Sequence, residues 1–152
     1  SSLTGLNATP ATALASGVNS NGKAVIIAGG NPFLAGSSGQ TQLNAVMPAQ
    51  LQNAVLTWGT AGAAVSNYDR AVLPYAYTDG SGSGLALWTS QQLVVAADSK
   101  LGAPTGLAQI GVISDPESDR PGRSGTLSDS DEFVFRAVMS DNSQVIYKAK
   151  GQ

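Results

Sequence analysis

One eight-residue phrase occurs three times without a gap: Val18-Asn-Ser-Asn-Gly-Lys-Ala-Val25, Val65-Ser-Asn-Tyr-Asp-Arg-Ala-Val72 and Leu127-Ser-Asp-Ser-Asp-Glu-Phe-Val134. Each copy opens on an aliphatic residue followed by Asn or Ser and crosses a polar turn. Each then reaches a charged sixth residue and runs into an apolar stretch. A turn-then-strand unit used three times in one chain is a repeated supersecondary element, and such elements bury their faces on copies of themselves. The expected fold is all-β. Antiparallel sheets would be built from about three hairpin or meander units, stacked as propeller blades or as a sandwich, with strand addition as a way to complete them.

The 152 residues suit one domain. Residues 1–17 read as an N-terminal arm with Leu3, Leu6 and Leu14 as apolar anchors, and 18–152 as a single β-repeat domain. Ala24 to Ala28 is a β-branched run expected to be a buried strand. Residues 29–42, with Gly29, Gly30, Pro32, Gly36 and Gly39, read as a long loop. Leu43 to Leu51 has the pattern of a short helix limited by Pro48, and Ala54 to Trp58 that of a strand.

The second copy predicts a strand from Arg70 to Tyr77, a glycine-rich hairpin loop, a return at Leu85 to Trp88 and a third strand at Gln92 to Ala97. Pro74 suggests a sheet edge or a bulge. Residues 102–125 read as a surface excursion holding Pro104, Pro116 and Pro121. The third copy pairs Glu132 to Met139 with Gln144 to Lys148. The closing strands would end on Trp58, Trp88 and Tyr147 as equivalent positions. The third copy stops five residues after Tyr147. It is therefore read as one strand short, with Val145, Ile146 and Tyr147 at an open edge.

Charged residues make up 12% of the chain and the net charge is −2, with the cations scattered. Counterion release from DNA needs a clustered cationic surface, so no nucleic-acid partner is expected. No apolar run is longer than that of Ala24 to Ala28, which is far short of a membrane span. The chain begins at Ser1 and holds no Cys and no His. These features suggest an exported protein, extracellular or at a cell surface, from which a leader has been removed. A surface of amides and hydroxyls repels its own copies weakly, so self-association costs little electrostatically.

The Asn19 to Ala24 segment, the Phe135-Arg-Ala137 continuation and Leu85-Ala-Leu-Trp88 followed by Leu93-Val-Val-Ala96 resemble the tandem repeats of exported bacterial choice-of-anchor proteins. Those repeats carry an Asn-x-x-Gly-x-x-Ala-type signature. The match departs at Asp69 and Asp131, which replace Gly22 in the later copies. The resemblance implies export and a β-repeat architecture, and it supplies no active site.

Catalytic signatures are weak. Gly17 to Lys23 has P-loop spacing, but Ala24 stands where Ser or Thr must hold magnesium, and a strand follows where a helix is needed. Without His there is no nucleophile–His pair. No cofactor is expected, and calcium is the one metal the acidic residues suit. Asp115, Glu117 and Asp119 alternate in a loop and offer it oxygen ligands, although Arg120 and Arg123 could neutralise them instead. Asp129, Asp131 and Glu132 form a second acidic group. Asn7-Ala-Thr9 is a glycosylation sequon.

The expected function is non-catalytic: a structural protein whose copies join as a surface fibre or filament by strand or arm exchange. Leu3, Leu6 and Leu14 would act from the arm and Val145 to Tyr147 at the edge. Two alternatives stand beside it. One is a carbohydrate-binding or adhesive module using Trp58, Trp88, Tyr68 and the other aromatics on a glycan. The other is a virion coat or decoration protein.

Overall fold

The computed structural model describes residues 14–59, 63–111, 127, 128, 130 and 132–150. Three antiparallel sheets follow one another along the chain. The first runs β1 (Leu14–Val18), β2 (Ala24–Ala28), β3 (Asn31–Gly36) and β4 (Gly39–Gln42) in sequential order. The middle sheet contains β5 (Leu56–Trp58), β6 (Ala64–Val65), β7 (Ala71–Tyr77), β8 (Ser83–Trp88) and β9 (Leu93–Asp98), with β5 and β6 both pairing β7. The third is β10 (Leu107–Gly111), β11 (Glu132–Met139) and β12 (Gln144–Lys150). The chain is thus all-β, as its phrases predict. No helix among the described residues is long and apolar enough to cross a membrane.

Each phrase is the hairpin that feeds the second strand of its sheet. The opening aliphatic residue pairs with the seventh: Val18 with Ala24, Val65 with Ala71, Leu127 with Phe133. The backbone N–H of the second residue donates to the sixth carbonyl in all three, at 2.9 Å for Asn19, 2.8 Å for Ser66 and 2.8 Å for Ser128. The second side chain also accepts the sixth N–H, from Lys23 at 2.9 Å, Arg70 at 3.3 Å and Glu132 at 3.1 Å. This is a three-residue loop closed by a left-handed residue. Gly22 (φ 72°) and Asp69 (φ 60°) occupy that position. Asp tolerates it better than most side chains, which explains how the phrase survives the loss of its glycine.

The sheets stack head to tail. In the first sheet Val25, the eighth phrase residue, turns with Ile27 and Leu34 onto the middle sheet, where Ala71, a seventh residue, lies with Leu73 and Tyr75. In the middle sheet Val72, again an eighth residue, turns with Leu85 and Leu87 onto the third sheet. There Phe133, a seventh residue, lies with Phe135 and Ala137. Alternation along a strand places seventh and eighth residues on opposite faces, so one sequence rule positions all three layers.

The two ends of the stack differ. Ala24, Ile26, Ala28 and Ala35 face away from the middle sheet and are nevertheless buried. The outward face of the third sheet carries Arg136, Gln144, Ile146 and Lys148, all exposed. Arg136 lies over Gly111, and Lys148 pairs with Glu132 at 3.1 Å. Half-buried Val134 and Val138 share this face, so it mixes charged and apolar side chains.

Several expectations change. Residues 29–42 are the strands β3 and β4. Gly29 (φ 57°) and Gly30 (φ 80°) supply both left-handed positions of a two-residue hairpin, so the glycines mark tight turns between strands. Only Ala49–Leu51, after Pro48, forms a single 3-10 turn where a helix was expected. The closing strand of the first unit is β3. The segment with Trp58 pairs Leu56 with Tyr77 and Trp58 with Tyr75, at the margin of the middle sheet.

Trp58, Trp88 and Tyr147 are accordingly not equivalent. Trp88 lies opposite Ala71, a position matched by Ala35 and Ala149, whereas Tyr147 lies opposite Phe135. The expected excursion at 102–125 contains β10, and residues 112–126 lie outside the described residues. Leu14 begins β1, opposite Ile27, and so belongs to the first sheet and not to a free arm.

Candidate functional site

The first two phrase turns interlock at one end of the stack. Asn19 Nδ2 donates to Ser66 O (2.9 Å) and to Asp69 Oδ1 (2.8 Å). Ser20 N donates to Asn67 Oδ1 and Asn21 Nδ2 to Asn67 O, each at 2.8 Å. Lys23 Nζ closes the contact on Asp69 Oδ2 at 2.6 Å. Partial burial works to raise the Asp69 pKa. The hydrogen bonds from Lys23, Asn19 and Asn21, with the Lys23 charge, outweigh it and hold the carboxyl below its usual value. Asp69 is therefore a permanent anion at neutral pH.

Beside this ion pair a cleft of about 320 Å³ opens between the first and middle sheets. Lys23 and Thr41 line it from the first sheet, and Tyr68, Asp69, Trp88 and Ser90 from the middle one. Tyr68 is 68% exposed at the tip of its turn. Trp88 is half-buried, with its ring packed against the apolar seam between the two sheets. Trp58 is 6% exposed, packed edge-on against Tyr75 at 5.5 Å. Of the two tryptophans, only Trp88 reaches a cleft wall shared by both sheets.

A second polar group lies inside the middle sheet. Asp98 is fully buried and accepts Tyr75 Oη at 2.6 Å and Tyr77 Oη at 2.7 Å through one oxygen. Its other oxygen accepts Leu101 N at 2.9 Å. The register explains its direction. Leu85 pairs with Ala97 but Ala86 with Val95, leaving Ala96 as an extra residue. A bulge of one residue reverses the alternation beyond it, and so Asp98 turns toward the tyrosine face. Burial, followed by the Asp98 hydrogen bond and charge, pushes both phenols far above the usual tyrosine range. Both phenols, neutral and buried, donate to the Asp98 carboxyl and so tie β7 to β9 across β8.

The third region is the far edge of β12. In the first and middle sheets a further strand, β4 or β9, pairs with the strand that follows the phrase hairpin's long arm. Among the described residues no strand pairs with the corresponding edge of β12. Met139 N donates to Ser143 O, and Val145 lies opposite Ala137. Ladder bonds in an antiparallel pair alternate, so the backbone groups of Gln144, Ile146 and Lys148 point away from β11.

The three edge residues expected from the sequence divide. Tyr147 turns inward and stacks on Phe135 at 5.4 Å. Val145, 37% exposed, shares that inner face at its margin. Ile146, 60% exposed, stands on the outer face with its backbone at the free edge.

Leu3, Leu6, Asn7, Asp115, Glu117, Asp119, Asp129 and Asp131 lie outside the described residues. Among the described residues no three acidic side chains gather as a metal site. Sequence reasoning did not find the Asp98 cluster, because the bulge that aims it leaves no trace in composition. The interlocked turns carried a signal in the aligned phrases: a cation at the sixth position of one copy and an acid at the fifth of the next. No protein-family model, curated protein or solved structure matches the chain.

Proposed function

We propose that the protein is a non-catalytic, exported structural module whose copies join by strand addition at the free edge of β12. The observation that carries this reading is the asymmetry of the sheets. The first two have a strand at the position that stands open beside β12 among the described residues. An open edge offers unpaired N–H and C=O groups to an incoming strand, which gains main-chain hydrogen bonds from them. The charged groups on the outward face of the third sheet support the same direction of growth. Face-to-face stacking would bury Arg136 and Lys148, whereas edge pairing leaves both in water.

The donor suggested by the sequence is the segment ahead of β1, with Leu3 and Leu6, from a neighbouring copy. A contact between two different surfaces propagates when its rotation does not close, and the product is a fibre. Negative-stain electron microscopy of the purified protein at rising concentration tests the reading. Filaments or open oligomers are expected, and they should disappear when residues 1–13 are deleted. Uniform monomers at every concentration would refute self-assembly.

A further inference from the structure

We infer that the cleft between the first and middle sheets binds a neutral sugar ring, as a free glycoside or the end of a glycan. The cleft combines the side chains that pyranoses need. Tyr68 and Trp88 offer aromatic faces for the apolar C–H side of a ring, and both also carry a polar tip. Thr41 and Ser90 add hydroxyls that both donate and accept. Lys23 has three N–H donors and gives one to Asp69, and the Asp69 carboxylate has acceptor sites beyond its three bonded neighbours. Vicinal hydroxyls, each a donor and an acceptor, can bridge such a pair.

Charge decides the class of ligand. Lys23 and Asp69 neutralise each other at 2.6 Å, so a phosphate, sulfate or carboxylate meets no uncompensated cation there. A purely apolar ligand would strip water from the ion pair without replacing its hydrogen bonds. The volume of about 320 Å³ lies near the lower bound of small-ligand sites, which suits a short ligand and not a long one. The interlocked turns fix Lys23 and Asp69 before any ligand arrives, so little ordering is needed on binding.

The site is one of binding. The cleft lining holds one carboxylate, that of Asp69, already engaged by Lys23, Asn19 and Asn21, whereas glycoside hydrolysis uses a pair. It is also separate from the β12 edge, so the two proposals stand or fall independently.

The test is a two-dimensional amide NMR titration of the full chain with methyl glucoside, galactoside, mannoside and N-acetylglucosaminide, alongside glucose 6-sulfate. Shifts confined to the Lys23, Tyr68, Asp69 and Trp88 region are expected with at least one neutral glycoside. The sulfated sugar should bind no more tightly. Tyr68→Ala, exposed and remote from the core, should weaken binding roughly tenfold with an unchanged melting curve. Trp88→Phe should weaken it less, because an aromatic face remains. The inference is overturned by an absence of shifts with all four neutral glycosides, by a preference for the sulfated sugar, or by full binding to Tyr68→Ala.

Discussion

Asp98 is the residue on which the middle sheet turns. It accepts two buried phenols and the part-buried Leu101 amide, and removing it strands the two phenol donors away from solvent. Each buried unsatisfied group costs about 1–3 kcal/mol, so Asp98→Ala should destabilise the protein by roughly 3 kcal/mol or more in urea unfolding. Loss of under about 0.5 kcal/mol would mean that the cluster is not structural. The phenols make a separate prediction. Their folded pKa values lie above the unfolded value of about 10. Their contribution is therefore complete below about pH 10 and is lost as pH rises, because only the unfolded chain then releases the protons. Tyr75→Phe should flatten this alkaline loss in thermal melts taken at increasing pH. Nothing in the sequence announced Asp98: it reads as one more polar residue at a strand end, and its role follows from the extra residue Ala96. Gly84 was equally silent as part of a flexible loop, although a β-carbon there would enter the Tyr75 ring.

The element that repeats is the hairpin, and it was the most legible part of the fold. Its spacing fixes the second-residue side chain over the sixth N–H in all three copies. Ser66→Ala should therefore cost about 1 kcal/mol, measured by denaturant unfolding, while Gln91→Ala in the exposed turn between β8 and β9 changes little. The contact between the first two hairpins is also pH-sensitive. Asp69 has a lowered folded pKa, so its stabilisation is present above the unfolded value near 4 and is lost as pH falls through the folded one. Asp69→Asn should reduce the acid-induced fall in melting temperature, and an unchanged fall would contradict this assignment. The strands β3 and β4 were missed because Gly29, Gly30, Pro32, Gly36 and Gly39 all punctuate residues 29–42. Pairing partners decide whether such residues make one loop or two tight turns, and the pairing is not local.

At the scale of the whole molecule, the seventh and eighth residues of each phrase set the order of the stack. That order was implicit in the sequence, since it needs only period-two alternation applied three times. Which edges would be open was less legible. Assigning Trp58 to the first unit gave that copy a false closing strand, whereas the strands ending near Trp88 and Tyr147 do pair with their own phrase strands, and the true first unit is a four-stranded sheet. The acidic candidates at 115–119 and the arm residues Leu3 and Leu6 fall outside the described residues, so the assembly proposal rests on the β12 edge.

The central claim is that this edge takes a strand from a second copy, and Ile146→Pro tests it directly. The Ile146 backbone points away from β11, and proline is tolerated where the lost N–H faces solvent. The substitution should leave the hairpin and the melting temperature nearly intact while removing a donor from the free edge. Sedimentation velocity across a concentration series should then show wild-type protein growing into oligomers and Ile146→Pro remaining monomeric. Oligomers of the same size and concentration dependence in a folded Ile146→Pro variant would contradict the account.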